Sequence, residues 1–226
     1  MVKTLLTFAG MKSPCLLLLF IIPFLQASAQ EVMQYAPGFE FREGVYLNFE
    51  QFKNNNPIPK NSIISKLDKS DTEFLPSILD EKTFSYKDVN DTVQTLSTEN
   101  VWGFSRNGTV FVRVENDHNR IAVLGSISHF VATITVYYNG MNSPFMNPYY
   151  GPGSMPTTTQ EMRQMILDYK TGRTMDFTQE NMENILQRDQ RLFEEFNALK
   201  KSQKKDMLFL YLRKYNEKHP LFFPAE

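Results

Sequence analysis

VWGFSRNGTVFVRVENDHNRIAVLGSISHFVATITVYY, residues 101–138, is the stretch that decides the fold, because it combines the only tryptophan with the densest β-branched run of the chain. Asn107-Gly108 interrupts this run, and both residues tolerate the positive φ angles that a two-residue type I′ turn requires. We therefore predict a β-hairpin with strands 101–106 and 109–115.

A two-residue turn also fixes the register of this hairpin, because it aligns the two strands in one way. The predicted cross-strand pairs are Arg106 with Thr109, Ser105 with Val110, Phe104 with Phe111, Gly103 with Val112, Trp102 with Arg113 and Val101 with Val114. Apolar residues fall on both faces, so we expect other elements to cover both sides. Trp102 and Arg113 allow either a cation–π pair of about 1 kcal/mol or simple packing.

The remainder of the stretch predicts two further strands. Asn116–Asn119 is polar and indicates a turn, and Ile121–Leu124 indicates a short strand. Residues 130–138 then alternate with a period of two, which predicts a strand with one apolar face and one threonine-rich face. This meander favours an α+β fold, with an N-terminal antiparallel β-sheet, roll or partial barrel and C-terminal helices packed on it.

Capping residues and apolar periodicity predict the helices. Asn48 with Gln51 three residues later predicts the start of a short helix. Amphipathic faces are predicted from Met182, Ile185, Leu192, Phe196 and Leu199, and from Leu208, Tyr211, Leu212 and Tyr215. Asp189 interrupts the first face and is interpreted as the cap of a new helix. The last helix spans about residues 202–217, and we expect residues 221–223 to dock onto the domain.

Weaker patterns lie on either side of this framework. Residues 30–42 indicate a loose lead. Short strands in the same sheet are predicted at Ile63–Leu67, Phe74–Leu79 and Thr83–Tyr86. Thr158 with Glu161 suggests a capping box that starts a helix, and Lys170–Arg173 suggests a hairpin turn; both interpretations stay open.

The N-terminus has the form of a secretory signal peptide. Lys3 and Lys12 precede the apolar run Cys15–Leu25, and Ala27-Ser28-Ala29 supplies small residues before a cleavage point at Gln30. The apolar run is too short to span a bilayer comfortably. We therefore predict export to the periplasm, the outer membrane or the extracellular space, and no transmembrane span in the mature chain.

Removal of residues 1–29, whether translation starts at Met1 or Met11, leaves a chain of net charge −3 without its sole cysteine, Cys15. Disulfides, thiolate metal sites and cysteine nucleophiles are thereby excluded. The charge is not basic enough to favour nucleic acid as a partner. We predict one α+β domain at 30–226, made of a β-rich part at 30–140, a loop at 141–157 and a mainly helical part at 158–226.

The loop is the first candidate contact surface. Residues 140–156, GMNSPFMNPYYGPGSMP, hold four prolines and three glycines, and a loop of this length is usually functional or mobile. Its apolar residues, Phe145, Met146, Tyr149 and Tyr150, either fold back onto the core or form an exposed adhesive surface.

A lysine cluster is the second candidate surface. Lys200, Lys201, Lys204 and Lys205 lie between the last two predicted helices. They are interpreted either as a solvated turn that complements a helix dipole or as a contact with anionic lipid or lipopolysaccharide.

Catalytic residues do not emerge from the sequence. His118, His129 and His219 lack the spacing of a metal site, and we predict neither a metal nor another cofactor. Ser126 or Ser128 with His129 as a base is a weak hypothesis, because the surrounding residues do not form a nucleophile elbow.

Four segments carry a resemblance to known proteins. They are Gly44–Asn55, Val101–Phe104, Leu124–Phe130 and Tyr211–Pro220. Together they resemble secreted proteins of unknown function from the Bacteroidetes. The resemblance implies a location in a Gram-negative cell envelope and supplies no catalytic residues.

The leading hypothesis is an uncharacterised secreted or envelope protein that acts as a non-enzymatic binding module for a partner protein or a glycan. The alternatives are an envelope hydrolase and a structural subunit of an envelope assembly. A hydrolase predicts a pocket in which polar groups with shifted pKa values converge.

Overall fold

The computed structural model describes residues 32–138 and 157–224. The strands are β1 (Val32–Gln34), β2 (Gly44–Tyr46), β3 (Ile58–Pro59), β4 (Ile63–Ile64), β5 (Thr83–Lys87), β6 (Val93–Ser97), β7 (Gly103–Arg106), β8 (Thr109–Val114), β9 (Asp117–Val123), β10 (Ile127–Tyr138), β11 (Thr157–Asp168), β12 (Arg173–Asp176) and β13 (Phe222–Pro224). The helices are α1 (Phe49–Lys53), α2 (Phe74–Leu79), α3 (Gln179–Leu186), α4 (Gln190–Asn197), α5 (Lys201–Asp206) and α6 (Leu208–Lys218).

Eight strands form one antiparallel sheet in the order β12-β11-β10-β9-β8-β7-β2-β3. The sheet curls into a half-barrel, and α3 to α6 follow it in the chain. The predicted α+β fold, a partial barrel with C-terminal helices, is therefore confirmed.

The central hairpin has the predicted turn and register. Asn107 and Gly108 both have positive φ angles, of 49° and 69°. Phe104 lies opposite Phe111, and the remaining pairs of β7 and β8 follow the predicted alignment. The next turn is earlier than predicted, because Glu115 takes a positive φ of 53° and β9 already begins at Asp117.

Trp102 is explained by packing within the half-barrel. Its ring stacks on Phe52 at 4.9 Å between centroids, whereas the Arg113 guanidinium donates to the carbonyl oxygens of Thr98 and Glu115. The interior holds many aromatic residues, among them Tyr35, Phe39, Phe41, Tyr46, Phe49, Phe52, Trp102, Tyr169 and Phe223.

The segment predicted to be a loose lead belongs to this core. β1 pairs with β13, with Met33 opposite Phe223, and the Phe223 ring is fully buried. Phe41 lies 5.1 Å from Phe223 between ring centroids. The predicted docking of residues 221–223 is confirmed. The prediction that residues 30–42 form a loose lead is wrong for residues 32–42, the part that the structure describes.

Residues 58–100 differ from the prediction in two ways. Phe74–Leu79 is the helix α2, not a strand, and it buries both Phe74 and Ile78. β4 and β5 do form strands, but they join β6 in a separate three-stranded sheet. A six-residue stretch with four large apolar residues does not distinguish a short strand from a short buried helix.

The part predicted to be mainly helical from residue 158 begins with two strands. All twelve residues of β11 pair with β10, so the capping box at Thr158 and Glu161 is wrong. The hairpin around Lys170–Arg173 is confirmed, because β12 pairs with the end of β11. The first helix of this part is α3, which starts at Gln179.

The caps predicted at Asn48 and Asp189 and the helical faces are confirmed. The Asn48 side chain accepts from the Gln51 N–H at 2.9 Å, and Asp189 caps α4 by accepting from the Leu192 N–H at 3.2 Å. The final helix divides into α5 and α6 at Met207. The helices share a core with the strand residues Ile127 and Ile166 and with Phe177, which follows β12. To this core they contribute Met182, Ile185, Leu186, Leu192, Phe196, Leu208, Tyr211, Leu212 and Tyr215.

Candidate binding arm and groove

The β10–β11 ribbon is longer than the parts of the fold that cover it. We call residues 131–138 and 157–164 the arm. Because side chains alternate along a strand, Val131 and Tyr137 of β10 share the outer face of the arm with Met162 of β11. These three side chains are exposed, at 49%, 74% and 82% of their surface respectively.

The arm also has an open backbone edge. β12 pairs only with residues 165–168 of β11, and the Phe177 N–H then donates to the Gln164 carbonyl oxygen at 2.8 Å. Among the described residues, no strand pairs with this edge between residues 157 and 163. Alternation directs the backbone groups of Gln160 and Met162 to the open side.

Polar side chains on the inner face tie the arm to β12. The Tyr138 hydroxyl donates to the Glu161 carboxylate, and Arg163 bridges Glu161 at 3.1 Å and Asp176 at 3.2 Å. The hydrogen bond from Tyr138, reinforced by Arg163, lowers the pKa of Glu161, and the same bond raises the pKa of Tyr138. This chain of contacts holds the Arg163 guanidinium in one orientation.

A groove of about 400 Å³ lies at the base of the arm. It is lined by Arg163, Gln164, Asp176, Phe177, Thr178, Lys205, Leu208 and Phe209. These residues come from β11, from the end of β12 and its following turn, and from α5 and α6. The groove therefore exists only where the sheet edge meets the last two helices.

Three rings pack against one another beside the groove. Phe177 and Phe209 meet edge to face at 4.8 Å, and His129 lies 5.2 Å and 4.8 Å from them. His129 is buried, and its Nε2 atom has no hydrogen-bond partner within the described segments. Burial lowers the pKa of His129, although a hydrogen bond with Gln164 opposes the effect.

The lysine cluster divides into anchored and exposed members. Lys204 bonds to Glu183 at 2.7 Å and to Asn197 at 2.9 Å, so its charge is used within the helical part. Lys200 and Lys201 are exposed, and Lys205 lines the groove. Of the four lysines, Lys205 alone lines the groove.

Phe145, Met146, Tyr149 and Tyr150 lie outside the described residues. They belong to the segment that connects β10 to β11 in sequence. Their predicted role in binding stays a prediction.

The hydroxyl groups near His129 have other partners. Ser126 Oγ donates to the His219 carbonyl oxygen, and Ser128 Oγ bonds to the backbone of Gly125. Neither hydroxyl is bonded to the His129 imidazole, so the three residues do not form the arrangement that a serine nucleophile requires.

A second polar cluster joins the helices to each other. The buried Asp189 carboxylate accepts from Lys218 Nζ at 2.7 Å and contacts His219 Nε2 at 2.8 Å. The hydrogen bond from Lys218, and then that from His219, lowers the pKa of Asp189 to about 2. This cluster fixes the helix ends and leaves Asp189 ionised at neutral pH.

The base of the ribbon is held by a buried ion pair. Arg188 binds Asp168 with two hydrogen bonds, of 2.7 and 2.8 Å, and Thr171 adds a third at 2.6 Å. Burial alone would raise the pKa of Asp168, but the bonds from Arg188 and Thr171 outweigh it and lower that pKa.

Comparison with known proteins identifies no relative. No family model, curated protein or solved structure matches the chain. The resemblance to secreted Bacteroidetes proteins therefore stays a prediction. Of the helices in residues 32–138 and 157–224, none combines the length and apolar character that a bilayer crossing needs. In the same residues, no three His, Asp, Glu or Cys side chains are grouped closely enough to hold a metal ion.

Proposed function

We propose that the chain is an exported, non-enzymatic interaction module whose arm binds a partner protein. The support is the arm itself, which combines an open strand edge with exposed Val131, Tyr137 and Met162. An open edge pairs readily with another strand, and tyrosine and methionine are enriched in protein interfaces. Its place is the cell envelope or its exterior, in keeping with the signal-like residues 1–29.

The carboxylates beside the arm favour binding over glycoside hydrolysis. A glycosidase needs one carboxyl group whose pKa is raised, so that it can donate a proton. Among the described residues, every carboxyl group whose pKa is shifted, Glu161 included, has a lowered pKa. We therefore place the hydrolase second to the binding module.

The test of the arm is a site-specific crosslink in living cells. A photoreactive amino acid at Met162 should yield a crosslinked product of one defined mass, because this side chain projects from the arm. The matched control is Val89, a fully exposed aliphatic residue in the turn between β5 and β6. The same products from both positions, or none from Met162, would contradict the proposal. A product with twice the mass of the chain would favour the structural subunit instead.

Export has its own test. The protein recovered from outside the cytoplasm should begin at Gln30, as read from the mass of its N-terminal peptide. Replacing Ala29 with aspartate should block processing, since small residues are required before the cleavage point. An intact N-terminus in the native protein would contradict export by this route.

A further inference from the structure

The groove at the base of the arm has the features of a site for a small ligand. Its floor and walls are partly aromatic and partly polar, which is the usual composition of a small-ligand site. Its volume of about 400 Å³ is within the range of such sites.

The aromatic wall is Phe209. Its side chain is 38% exposed although it follows the buried Leu208, and its position is fixed by contact with Phe177 and His129. A ring held in this way offers a flat apolar surface next to polar groups. The C–H face of a sugar ring is flat and weakly apolar, and it suits such a wall.

The polar wall offers donors and acceptors in alternation. Arg163 donates, Asp176 accepts, and Gln164 and Thr178 do both. A sugar hydroxyl likewise donates and accepts, so several neighbouring hydroxyls can be satisfied at once. Because Glu161 and Asp176 already hold Arg163, little conformational freedom is lost when a ligand binds.

The unpaired ammonium group of Lys205 selects among sugars. Arg163 is shared by two carboxylates, Glu161 and Asp176, and with Lys205 these four charges sum to zero. Lys205 lines the groove and is the one of the four that makes no ion pair within the described residues. A carboxylate on the ligand would pair with this ammonium group.

We propose that this groove binds a saccharide that carries a carboxylate, with its ring against Phe209 and its carboxylate beside Lys205. The groove adjoins the arm's outer face, because Gln164 lies opposite Val131, but the exposed Val131, Tyr137 and Met162 do not line it.

The test is calorimetric titration of the purified protein with trimers of galacturonic acid and, as the uncharged counterpart, trimers of galactose. The acidic trimer should bind at least tenfold more tightly. Phe209→Ala should weaken the binding of both trimers at least tenfold. Lys205→Gln should abolish the preference for the acid and leave the neutral trimer unchanged.

Matched controls separate the groove from a diffuse charge effect. Leu210→Ala removes an exposed apolar side chain of the same helix, and Lys201→Gln removes an exposed lysine of the neighbouring helix. Both variants should bind as the unaltered protein does. Equal loss with Lys201→Gln and Lys205→Gln, equal affinity for the two trimers, or no binding of either would overturn the proposal. So would binding to phosphatidylglycerol vesicles with no response to either trimer.

Discussion

The two halves of the β10–β11 ribbon have the same strands and continuous pairing, yet they differ in what covers them. At the base, Phe130 and Leu167 are buried in the half-barrel, while Ile127 and Ile166 are buried under the helices. Along the arm, the outer face is exposed, and Met162 is the extreme case. Strand pairing alone therefore does not decide burial. The helices do, because they cover the ribbon only as far as His129.

The comparison also explains how the arm stays ordered. An isolated two-stranded ribbon is marginally stable in water. Here the arm continues two strands that are anchored at their base. It also gains side contacts from Glu115, which accepts from the Thr135 N–H at 2.9 Å, and from the chain of Glu161, Arg163 and Asp176.

The largest expected effect is at the base. Arg188→Met should lower the free energy of unfolding by about 3–5 kcal/mol, because it leaves the Asp168 carboxylate buried without its guanidinium partner. Urea unfolding measures it. A second substitution, Asp168→Asn, should recover part of the loss by removing the stranded charge. A single-variant loss below about 1 kcal/mol would mean that Asp168 is hydrated rather than buried.

The next largest effect is expected at Ile166, which lies at the base of the ribbon on the same face of β11 as Met162 of the arm. Ile166→Ala should cost about 2–5 kcal/mol, since Ile166 is fully buried between the sheet and the helices. Urea unfolding measures this loss of stability. A cost near zero would show that the helices do not pack on the ribbon as described.

An intermediate effect depends on pH. The pKa of Asp189 is about 2 in the folded state, below the value of about 3.9 for an unperturbed aspartate. The ionised form therefore stabilises the fold fully above about pH 4, and this contribution is lost as the pH falls toward 2. Asp189→Asn keeps a capping side chain but removes the charge.

Unfolding temperatures measured between pH 2 and pH 5 test this expectation. The stability of the unaltered protein should fall more steeply toward low pH than that of Asp189→Asn. Parallel curves would show that the contacts of Asp189 with Lys218 and His219 do not persist in solution.

The smallest effect is on the arm. Met162→Ala should change the free energy of unfolding by less than about 0.5 kcal/mol, because the side chain is largely exposed. Met162 lies four residues before Ile166 in β11, on the same face of the strand. A large loss of stability would mean that another part of the chain covers the arm.

The sequence predicted elements whose signals are local. The Asn107-Gly108 turn fixed a register that the structure shares, and Asn48 and Asp189 cap the helices that they were expected to cap. These features depend on neighbouring residues alone. Strand β11 depends on more than its neighbours in sequence. Met162 is the only apolar residue in Thr157–Gln164, so no alternating pattern is visible, and pairing with β10 imposes the extended conformation.

The groove was largely hidden for the same reason. Lys205 was a candidate residue, but its relevant neighbours Arg163, Asp176 and Phe209 are distant in sequence and meet only in the fold. One signal was available. Phe209 is a large apolar residue that falls off the predicted helical face of Leu208, Tyr211, Leu212 and Tyr215. Such a residue needs either a partner or a function.

The pairing of β1 with β13 has a consequence for the timing of folding. About 190 residues of chain separate the two strands. At a synthesis rate of about 5–20 residues per second, β13 leaves the ribosome roughly 10–40 s after β1. Throughout that interval Phe41 lacks Phe223, its partner in the aromatic interior. The nascent chain therefore cannot complete its core, and the half-barrel reaches its final packing only after most of the protein has been made.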